Sequence, residues 1–362
     1  MKIALIAPPF ISVPPPRYGG TELHLAHLAL GLRRRGHHPV VYTNGESRLK
    51  VELRYLYPRS EWPIHDNLHS SLKDLNHSSW ACREAADCDL IHLHNAPGLA
   101  FTRFFTGPVA YTLHHPWEPA LAEFYRHFPD VHFIAISQAQ SAAYRGFAHL
   151  HVVPHGIDLN SYRLGGGRRE WLVFLGRIAP IKGVHLAIEV ARRAGLPLKI
   201  AGEIQPIFRE YWERQIRPQL DGRIQYVGEV GLEEKNALLG GALAMLFPIE
   251  WEEPFGLVML EAMACGAPVL AFPRGAAPEV IAPGVSGWLC RDVAEMARRA
   301  AVPGIAAESC RAWVAARFSL ERMVADYERI YCHMLAATSQ ALTAESDSSF
   351  RPKSQAEARG SY

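Results

Sequence analysis

Short apolar runs alternate with amphipathic patterns along most of the chain. Runs such as KIALIA (2–7) and LIHLH (90–94) are apolar on both faces, which is typical of strands buried between two layers of helices. Strands that alternate with helices form parallel sheets with right-handed crossovers, so the pattern predicts an α/β fold of doubly wound parallel sheets. The other predicted strands span residues 39–43, 108–115, 132–137, 151–156, 170–176, 197–202, 223–228, 243–248, 268–272 and 287–290.

The alternation is interrupted once, at the glycine- and arginine-rich segment LGGGRR (164–169). The chain has 362 residues, more than one hydrophobic core usually serves, and its 49% hydrophobic residues are enough for two cores. We therefore expect one domain over residues 1–161 and a second over 162–317, facing each other across a ligand cleft at the carboxyl ends of their strands. An amphipathic helix is predicted over 318–337. Residues 338–362 lack apolar periodicity, which predicts a disordered tail.

Composition argues against several classes of protein. The formal net charge is only +2, from 38 basic and 36 acidic residues, so no global field recruits nucleic acid. Six scattered cysteines lack zinc-type pairing, which favours reduced, buried thiols. The first apolar run is broken by two prolines, too early for a signal peptide, and no run reaches membrane-spanning length. We expect a cytoplasmic protein, with peripheral membrane association left open.

The stretch EPFGLVMLEAMACGAPVLAF (253–272) carries one acid just ahead of a predicted helix and a second about two turns further on. The helix follows a strand, so its N-terminus points at the cleft, where the free N–H groups of Phe255, Gly256 and Leu257 attract phosphate or sugar oxygens. Glu253 can accept hydrogen bonds from hydroxyl groups held there, and Glu261 suits the two hydroxyls of a ribose. The alternative is that Glu253 only caps the helix and Glu261 pairs with a basic side chain.

Two cations follow the first strand of the second domain, in the loop LGRIAPIKG (175–183). Arg177 and Lys182 have no acid in the same loop, and a planar guanidinium beside a mobile ammonium suits a diphosphate whose charge grows as it leaves. The alternative is a solvated loop, or a structural pair with an acid elsewhere in the chain. The glycine motifs of dinucleotide-binding and P-loop proteins are missing from the sequence, which argues against both classes.

Together these motifs resemble those of the family 4 glycosyltransferases. The resemblance covers roughly residues 1–335 and rests on GGTELH, VPHGID, LGRIAPIKG, the stretch 253–272 and GAAPEVIAPGVSGWL. It implies a GT-B fold of two Rossmann-like domains, an acceptor-side domain followed by a nucleotide-sugar donor domain, with the helix 318–337 crossing back to the first. It also implies a nucleotide-diphosphate sugar as donor, transfer with retention at the anomeric carbon, and no required metal.

The resemblance also implies roles for individual residues. In the second domain, Arg177 and Lys182 would hold the pyrophosphate, Glu261 the ribose, and Glu253 the donor sugar. The N–H groups of Phe255, Gly256 and Leu257 would contribute at the same place. In the first domain, Gly19 and Gly20 match the glycine loop near the phosphates or the acceptor, and His114 matches a histidine of the cleft.

The histidine-rich first domain leaves two questions. His114 and His115 are neighbours, and on a strand only one of them can face a given side, so the sequence does not choose between them. Sixteen of the 18 histidines precede residue 156, yet His92 and His94 alternate on a strand instead of forming a helical or cysteine-rich set. The sequence therefore predicts no metal site. His155, where family members more often show asparagine, is read as part of a structural turn.

Three functions remain open at this stage. The leading one is a glycosyltransferase acting on an unidentified glycan, lipid or small-molecule acceptor. The second is an isomerase or phosphorylase of the same fold, and the third is a noncatalytic module that binds a nucleotide sugar. The sequence does not indicate the sugar, the base or the acceptor.

Overall fold

A computed structural model describes residues 1–17, 19–62 and 68–349, and within them the chain forms two parallel sheets. The first sheet has the strand order β3-β2-β1-β4-β5-β6-β7, and every pairing is parallel. Its strands are β1 (Lys2–Ile6), β2 (His38–Thr43), β3 (Glu52–Tyr55), β4 (Leu90–Leu93), β5 (Val109–Thr112), β6 (His132–Ala135) and β7 (Leu150–Val152).

The second sheet is also entirely parallel, in the order β10-β9-β8-β11-β12-β13. Its strands are β8 (Trp171–Leu175), β9 (Leu198–Ala201), β10 (Ile224–Gly228), β11 (Ala242–Phe247), β12 (Val269–Ala271) and β13 (Gly287–Leu289). The strand order reverses between β1 and β4 in the first sheet and between β8 and β11 in the second. Such reversals open a crevice at the carboxyl ends of the strands, where ligands bind in α/β proteins.

Helices cover both faces of each sheet. They are α1 (Gly20–Arg34), α2 (Leu68–Glu84), α3 (Pro119–Arg126), α4 (Gln138–Ala143), α5 (Val184–Ala194), α6 (Arg209–Tyr211), α7 (Leu232–Gly240), α8 (Leu257–Ala264), α9 (Ala277–Val280), α10 (Val293–Ala301), α11 (Ala307–Arg317) and α12 (Leu320–Ser349). Shorter turns include the 3-10 helices Ala96–Phe104 and Pro180–Lys182 and the π turn Trp212–Ile216. The predicted α/β architecture of two doubly wound sheets is confirmed.

The last helix, α12, returns from the second domain and packs on the first. Its buried side chains join the core formed by α1 and one face of the first sheet: Leu320, Met323, Val324, Tyr327, Tyr331 and Met334. The two helices approach so closely at Gly31 that a Cβ there would overlap Val324. The chain enters α12 through backbone hydrogen bonds of Ile157 to Phe318 and Leu320.

Two details of the sequence prediction differ from the structure. The short edge strand β3 was not predicted, because its side chains are half-buried or exposed and it lacks an apolar run. The tail was expected to be disordered from residue 338, but α12 continues to Ser349, and residues 350–362 lie outside the described part of the chain. The domain boundary at residue 161 stays a prediction. None of the described helices combines the length and hydropathy needed to cross a membrane.

Candidate active site

A cleft of about 560 Å³ lies between the carboxyl ends of the two sheets. Both domains line it, and the reversal points of both sheets open into it. The structure brings every residue proposed from the sequence to this one cleft: Gly19, Gly20, His114, Arg177, Lys182, Glu253, Phe255, Gly256, Leu257 and Glu261. The sequence motifs therefore converge in space although they are far apart along the chain.

Lys182 and Glu253 form an ion pair in the wall of the cleft. Lys182 ends the 3-10 turn after β8, Glu253 lies between β11 and α8, and Nζ is 2.5 Å from Oε2. The indole Nε1 of Trp251 donates to the same oxygen at 2.9 Å, and Nζ lies 4.5 Å from the centre of that ring. Burial lowers the pKa of the Lys182 ammonium, and the neighbouring carboxylate opposes that shift.

The Lys182–Glu253 pair corrects one inference from the sequence. The loop 175–183 contains no acid, as noted, but the fold supplies one from the loop after β11. Lys182 therefore forms a pair with an acid from elsewhere in the chain, which was the alternative considered from the sequence. Because both side chains still line the cleft, the pair does not remove them from a ligand's reach.

Arg177 presents a cation without a carboxylate partner. It follows β8 directly, and its Nη1 lies 3.4 Å from the amide oxygen of Gln205, a long hydrogen bond. Across the described residues, no carboxylate oxygen comes within ion-pair distance of this guanidinium. Its planar set of donors therefore remains available to an anion in the cleft.

Glu261 is buried on α8 but still borders the cleft. Its Oε1 accepts a hydrogen bond from the Tyr162 hydroxyl at 2.8 Å and from Lys235 Nζ at 2.6 Å. Burial raises the pKa of the Tyr162 hydroxyl, so this group stays a donor. Both bonds use Oε1, and among the described contacts Oε2 has no protein donor. The two interpretations of Glu261, a basic partner and a ligand contact, are thus compatible.

The N-terminus of α8 faces the cleft. Gly256 has φ +84°, a left-handed conformation that glycine adopts without strain, and a Cβ there would lie 2.8 Å from Met259 Cε. The helix begins at Leu257, so Pro254 lies in the loop before it. In the described structure the N–H groups of Phe255 and Gly256 donate to no protein acceptor. They remain free for oxygen atoms of a ligand.

Three predicted residues lie in the first-domain wall of the cleft, and none of them forms an ion pair in the described structure. Gly19 and Gly20 lie at the start of α1, and His114 donates or accepts one hydrogen bond through Nε2 with His94 Nδ1 at 2.9 Å. Burial lowers the pKa of His114 well below its usual range, so the imidazole is neutral. Both His114 and His115 line the cleft. β5 ends at Thr112, so strand alternation no longer separates these neighbours.

Several residues of the cleft were missed from the sequence. Lys235 and Trp251 contact the two predicted acids, but they come from α7 and a loop without a recognisable motif. Glu203 follows β9 at the carboxyl edge of the sheet and lines the cleft. Its position just after a predicted strand was a signal in the sequence that could have identified it as a cleft residue. It accepts a hydrogen bond from Trp62 of the first domain at 2.7 Å, and burial raises the pKa of its carboxyl group.

Comparison with known families agrees with this architecture. Residues 18–161 match the family model described as Glycosyltransferase Family 4, and residues 169–302 match the model described as Glycosyl transferases group 1. The chain therefore belongs to the family 4 glycosyltransferases and has their GT-B fold.

Individual relatives extend over different parts of the chain. Phosphatidyl-myo-inositol mannosyltransferase of Mycolicibacterium smegmatis is 27% identical over 80% of this chain and 80% of that protein. Glycogen synthase of Mycobacterium tuberculosis is 32% identical over 51% of this chain, which spans about half (46%) of that protein's length. The structure of Anabaena Alr3699/HepE in complex with UDP and glucose has a TM-score of 0.74 at 21% identity, covering 92% of this chain and all (100%) of that one.

Proposed function

We propose that the protein transfers a sugar from a nucleotide-diphosphate donor to a hydroxyl group of an acceptor, with retention at the anomeric carbon. The observation that carries the proposal is the convergence of two cations, a helix N-terminus and two acids at the carboxyl edge of the second sheet. Family membership and the UDP complex of the related fold HepE support a nucleotide-sugar donor.

Each group of the second domain has a distinct task in this proposal. Arg177 and Lys182 bind the diphosphate, and Oε2 of Glu261 accepts hydrogen bonds from the ribose. Because a ribose hydroxyl is a neutral donor, an ionised acceptor strengthens that contact. Glu253 and the N–H groups at Phe255 and Gly256 hold the sugar and the phosphate next to it.

The chemical step depends mainly on charge. As the bond between the anomeric carbon and the diphosphate breaks, negative charge grows on the phosphate, where Arg177, Lys182 and the N-terminus of α8 stabilise it. These fixed positive groups act where the walls exclude water, so they stabilise the leaving group without requiring a metal ion. The acceptor approaches on the face from which the diphosphate departs, and that phosphate takes the acceptor's proton.

His114 faces this centre from the first domain. Its imidazole is neutral because burial lowers its pKa, so it can donate a hydrogen bond to a sugar hydroxyl without adding a second cation. Gly19 and Gly20 allow close approach of the phosphates or of the acceptor. The acceptor itself is a glycan, a lipid or a small molecule of cell-envelope or polysaccharide biosynthesis, reached in solution or at a membrane surface.

A panel of nucleotide sugars tests the proposal. Purified protein is screened against UDP-, GDP- and ADP-sugars by thermal shift, since a ligand at about 100 times its dissociation constant stabilises the fold by about 2.7 kcal/mol. Donors that bind are then assayed for release of the nucleoside diphosphate, with and without candidate acceptors. The anomeric configuration of the product is read by NMR.

Three outcomes separate the remaining functions. Release of nucleoside diphosphate with a retained product supports transfer, and inversion contradicts the stereochemical part. Binding without turnover for every donor and acceptor supports a noncatalytic module. Absence of binding by any nucleotide sugar contradicts the proposal as a whole.

A further inference from the structure

Three histidines from separate segments meet beneath the first-domain wall of the cleft. His24 lies on α1, His94 follows β4 and His114 follows β5, and one ring nitrogen of each lies within 4.8 Å of those of the other two. The ring centres form a nearly equilateral triangle with sides of 5.2, 5.4 and 5.6 Å. We refer to these three residues as the histidine triangle.

The dimensions of the histidine triangle fit a tetrahedral metal ion. Zinc–nitrogen bonds of about 2.0–2.1 Å place three ligand nitrogens roughly 3–3.5 Å apart and their ring centres roughly 5 Å apart. His94 Nδ1 and His114 Nε2 share a hydrogen bond of 2.9 Å, slightly below that range, so these two nitrogens would separate slightly on binding one ion. The nitrogen of His24 lies within 4.8 Å of both and would move inward to reach the same ion.

Several nitrogens at this place are buried without a partner. Nδ1 of His24, Nε2 of His94 and Nδ1 of His155 have no hydrogen-bond partner in the described structure. The ring of His155 lies 4.5 Å from that of His24, which makes it a candidate fourth ligand. A buried imidazole nitrogen without a partner is unfavourable, and these three lie on neighbouring rings.

Side chains next to the histidine triangle orient its rings through hydrogen bonds and add no charge. The ring of His92 lies 4.2 Å from that of His94 at a tilt of 42°. Both of its nitrogens are engaged by the hydroxyls of Tyr331 and Thr112 at 2.7 and 2.8 Å, so His92 serves as support and not as a ligand. Tyr327 links Thr112 to His24 through contacts of 3.1 and 3.4 Å. Such outer hydrogen bonds fix the rings of metal ligands.

The ligand set also indicates which metal would bind. Burial lowers the pKa values of all three triangle histidines well below the usual range, and the neutral imidazole is the form that binds metal. A set of imidazoles suits zinc, copper, nickel or cobalt, whereas magnesium and calcium prefer oxygen ligands. His114 and His155 line the cleft, which provides a path of entry.

We propose that His24, His94 and His114 form a binding site for a divalent transition metal of the zinc class, with His155 in reach of a fourth position. The site is separate from the cations that bind the diphosphate in the proposed function, and it does not depend on that function. An ion there would fix the orientation of His114, the member of the triangle that borders the cleft.

Metal binding is measured directly, without an activity assay. Protein purified without a polyhistidine tag is stripped with a chelator, dialysed, and titrated with Zn²⁺ by calorimetry, with bound metal counted by elemental analysis. We expect one ion per chain. His24→Gln and His94→Gln should each weaken binding at least 100-fold, while His149→Gln, an exposed histidine of the same domain, should leave it unchanged.

A spectroscopic arm covers the case in which a triangle variant does not fold. Co²⁺ bound to the unaltered protein should give the intense visible absorption of a tetrahedral site with nitrogen ligands, and Zn²⁺ should displace it. Mg²⁺ should do neither. Weak octahedral absorption, less than stoichiometric Zn²⁺, or equal binding by folded His24→Gln and His94→Gln proteins would each overturn the proposal.

Discussion

The two walls of the cleft are built differently. The second-domain wall carries two ion pairs, Lys182 with Glu253 and Lys235 with Glu261, and a guanidinium, Arg177, that has no carboxylate partner among the described residues. The predicted residues of the first-domain wall are two glycines and a neutral imidazole, although Arg17 and Glu118 also line that side of the cleft. The second-domain wall is therefore suited to an anionic donor. The first-domain wall offers shape and hydrogen bonds from neutral imidazoles, which suit a partner of variable chemistry.

The walls also differ in how the chain assembles them. Lys182 and Glu253 lie in loops that directly follow neighbouring strands β8 and β11, so the sheet alone brings them together. The histidine triangle instead needs a helix and two strands, with the returning helix α12 packed behind them. Contacts such as Glu279 with the N–H groups of Gln138 and Ala139, at 2.8 and 2.6 Å, hold one wall against the other.

The largest expected effect comes from removing α12. A chain that ends at Ser319 keeps Phe318 in the second-domain core but loses six side chains buried against the first domain. Their burial is worth on the order of 10 kcal/mol, comparable to the whole stability of a domain. We expect this chain to be insoluble or unfolded in its first half, as measured by circular dichroism and limited proteolysis.

A chain ending at Ala337 is the control for that truncation. It retains Met334, the last buried side chain among the residues of α12 whose burial the structure describes, so we expect unchanged stability and activity. Full stability of the shorter chain would show that the first wall does not depend on α12. Loss of activity in the longer chain would show that residues beyond 337 contribute to function.

Next in size is Lys182→Ala, which tests the charged wall. We expect kcat at saturating donor to fall about 100-fold or more, the scale of removing one preorganised charge-stabilising group. Arg168→Ala, which removes an exposed cation of the same domain, is the matched control. Unchanged turnover in a folded Lys182→Ala protein would contradict a role for this wall in stabilising the leaving group.

A smaller effect is expected from Glu261→Gln. The amide keeps the shape but loses the charged acceptor, so nucleoside diphosphate binding should weaken by about 1.5–3 kcal/mol in calorimetry. Glu253→Gln should instead lower kcat or change the preferred sugar, with little effect on affinity for the free diphosphate. Equal and normal affinity in both variants would remove the division of tasks between the two acids.

The smallest expected effect is on how the stability of the first domain depends on pH. Burial raises the pKa of Glu22, in the first turn of α1, from its ordinary value of 4.5 to about 7. The folded state therefore prefers the protonated acid: this stabilisation is complete below pH 4.5 and is lost as the pH rises towards and through 7. Between pH 6 and 8 the loss is roughly 1.4 kcal/mol.

Glu22→Gln isolates that contribution. The variant should lack this part of the pH dependence, so the stability difference between it and the unaltered protein should change by roughly 1.4 kcal/mol between pH 6 and 8 in urea unfolding. Parallel pH profiles for the two proteins would show that Glu22 titrates normally and that the first wall tolerates charge.

The sequence predicted most of the fold and the charged wall. All six strands of the second sheet coincide with apolar runs. Arg177, Lys182 and Glu253 lie in the segments that follow strands, and Glu261 lies in the second turn of the helix after β11. In a parallel sheet every strand delivers its carboxyl end to the same edge, so local spacing along the chain was enough to place these side chains together.

Local patterns in the sequence were therefore enough to predict the architecture, the cleft and the charged character of one wall. Which acid each lysine contacts, the extension of α12 to Ser349, and the meeting of His24 with His94 and His114 became visible only in the folded chain. These outcomes depend on the packing of segments far apart in the chain. Their distances and burial are set by how helices lie on a sheet, which no local periodicity encodes.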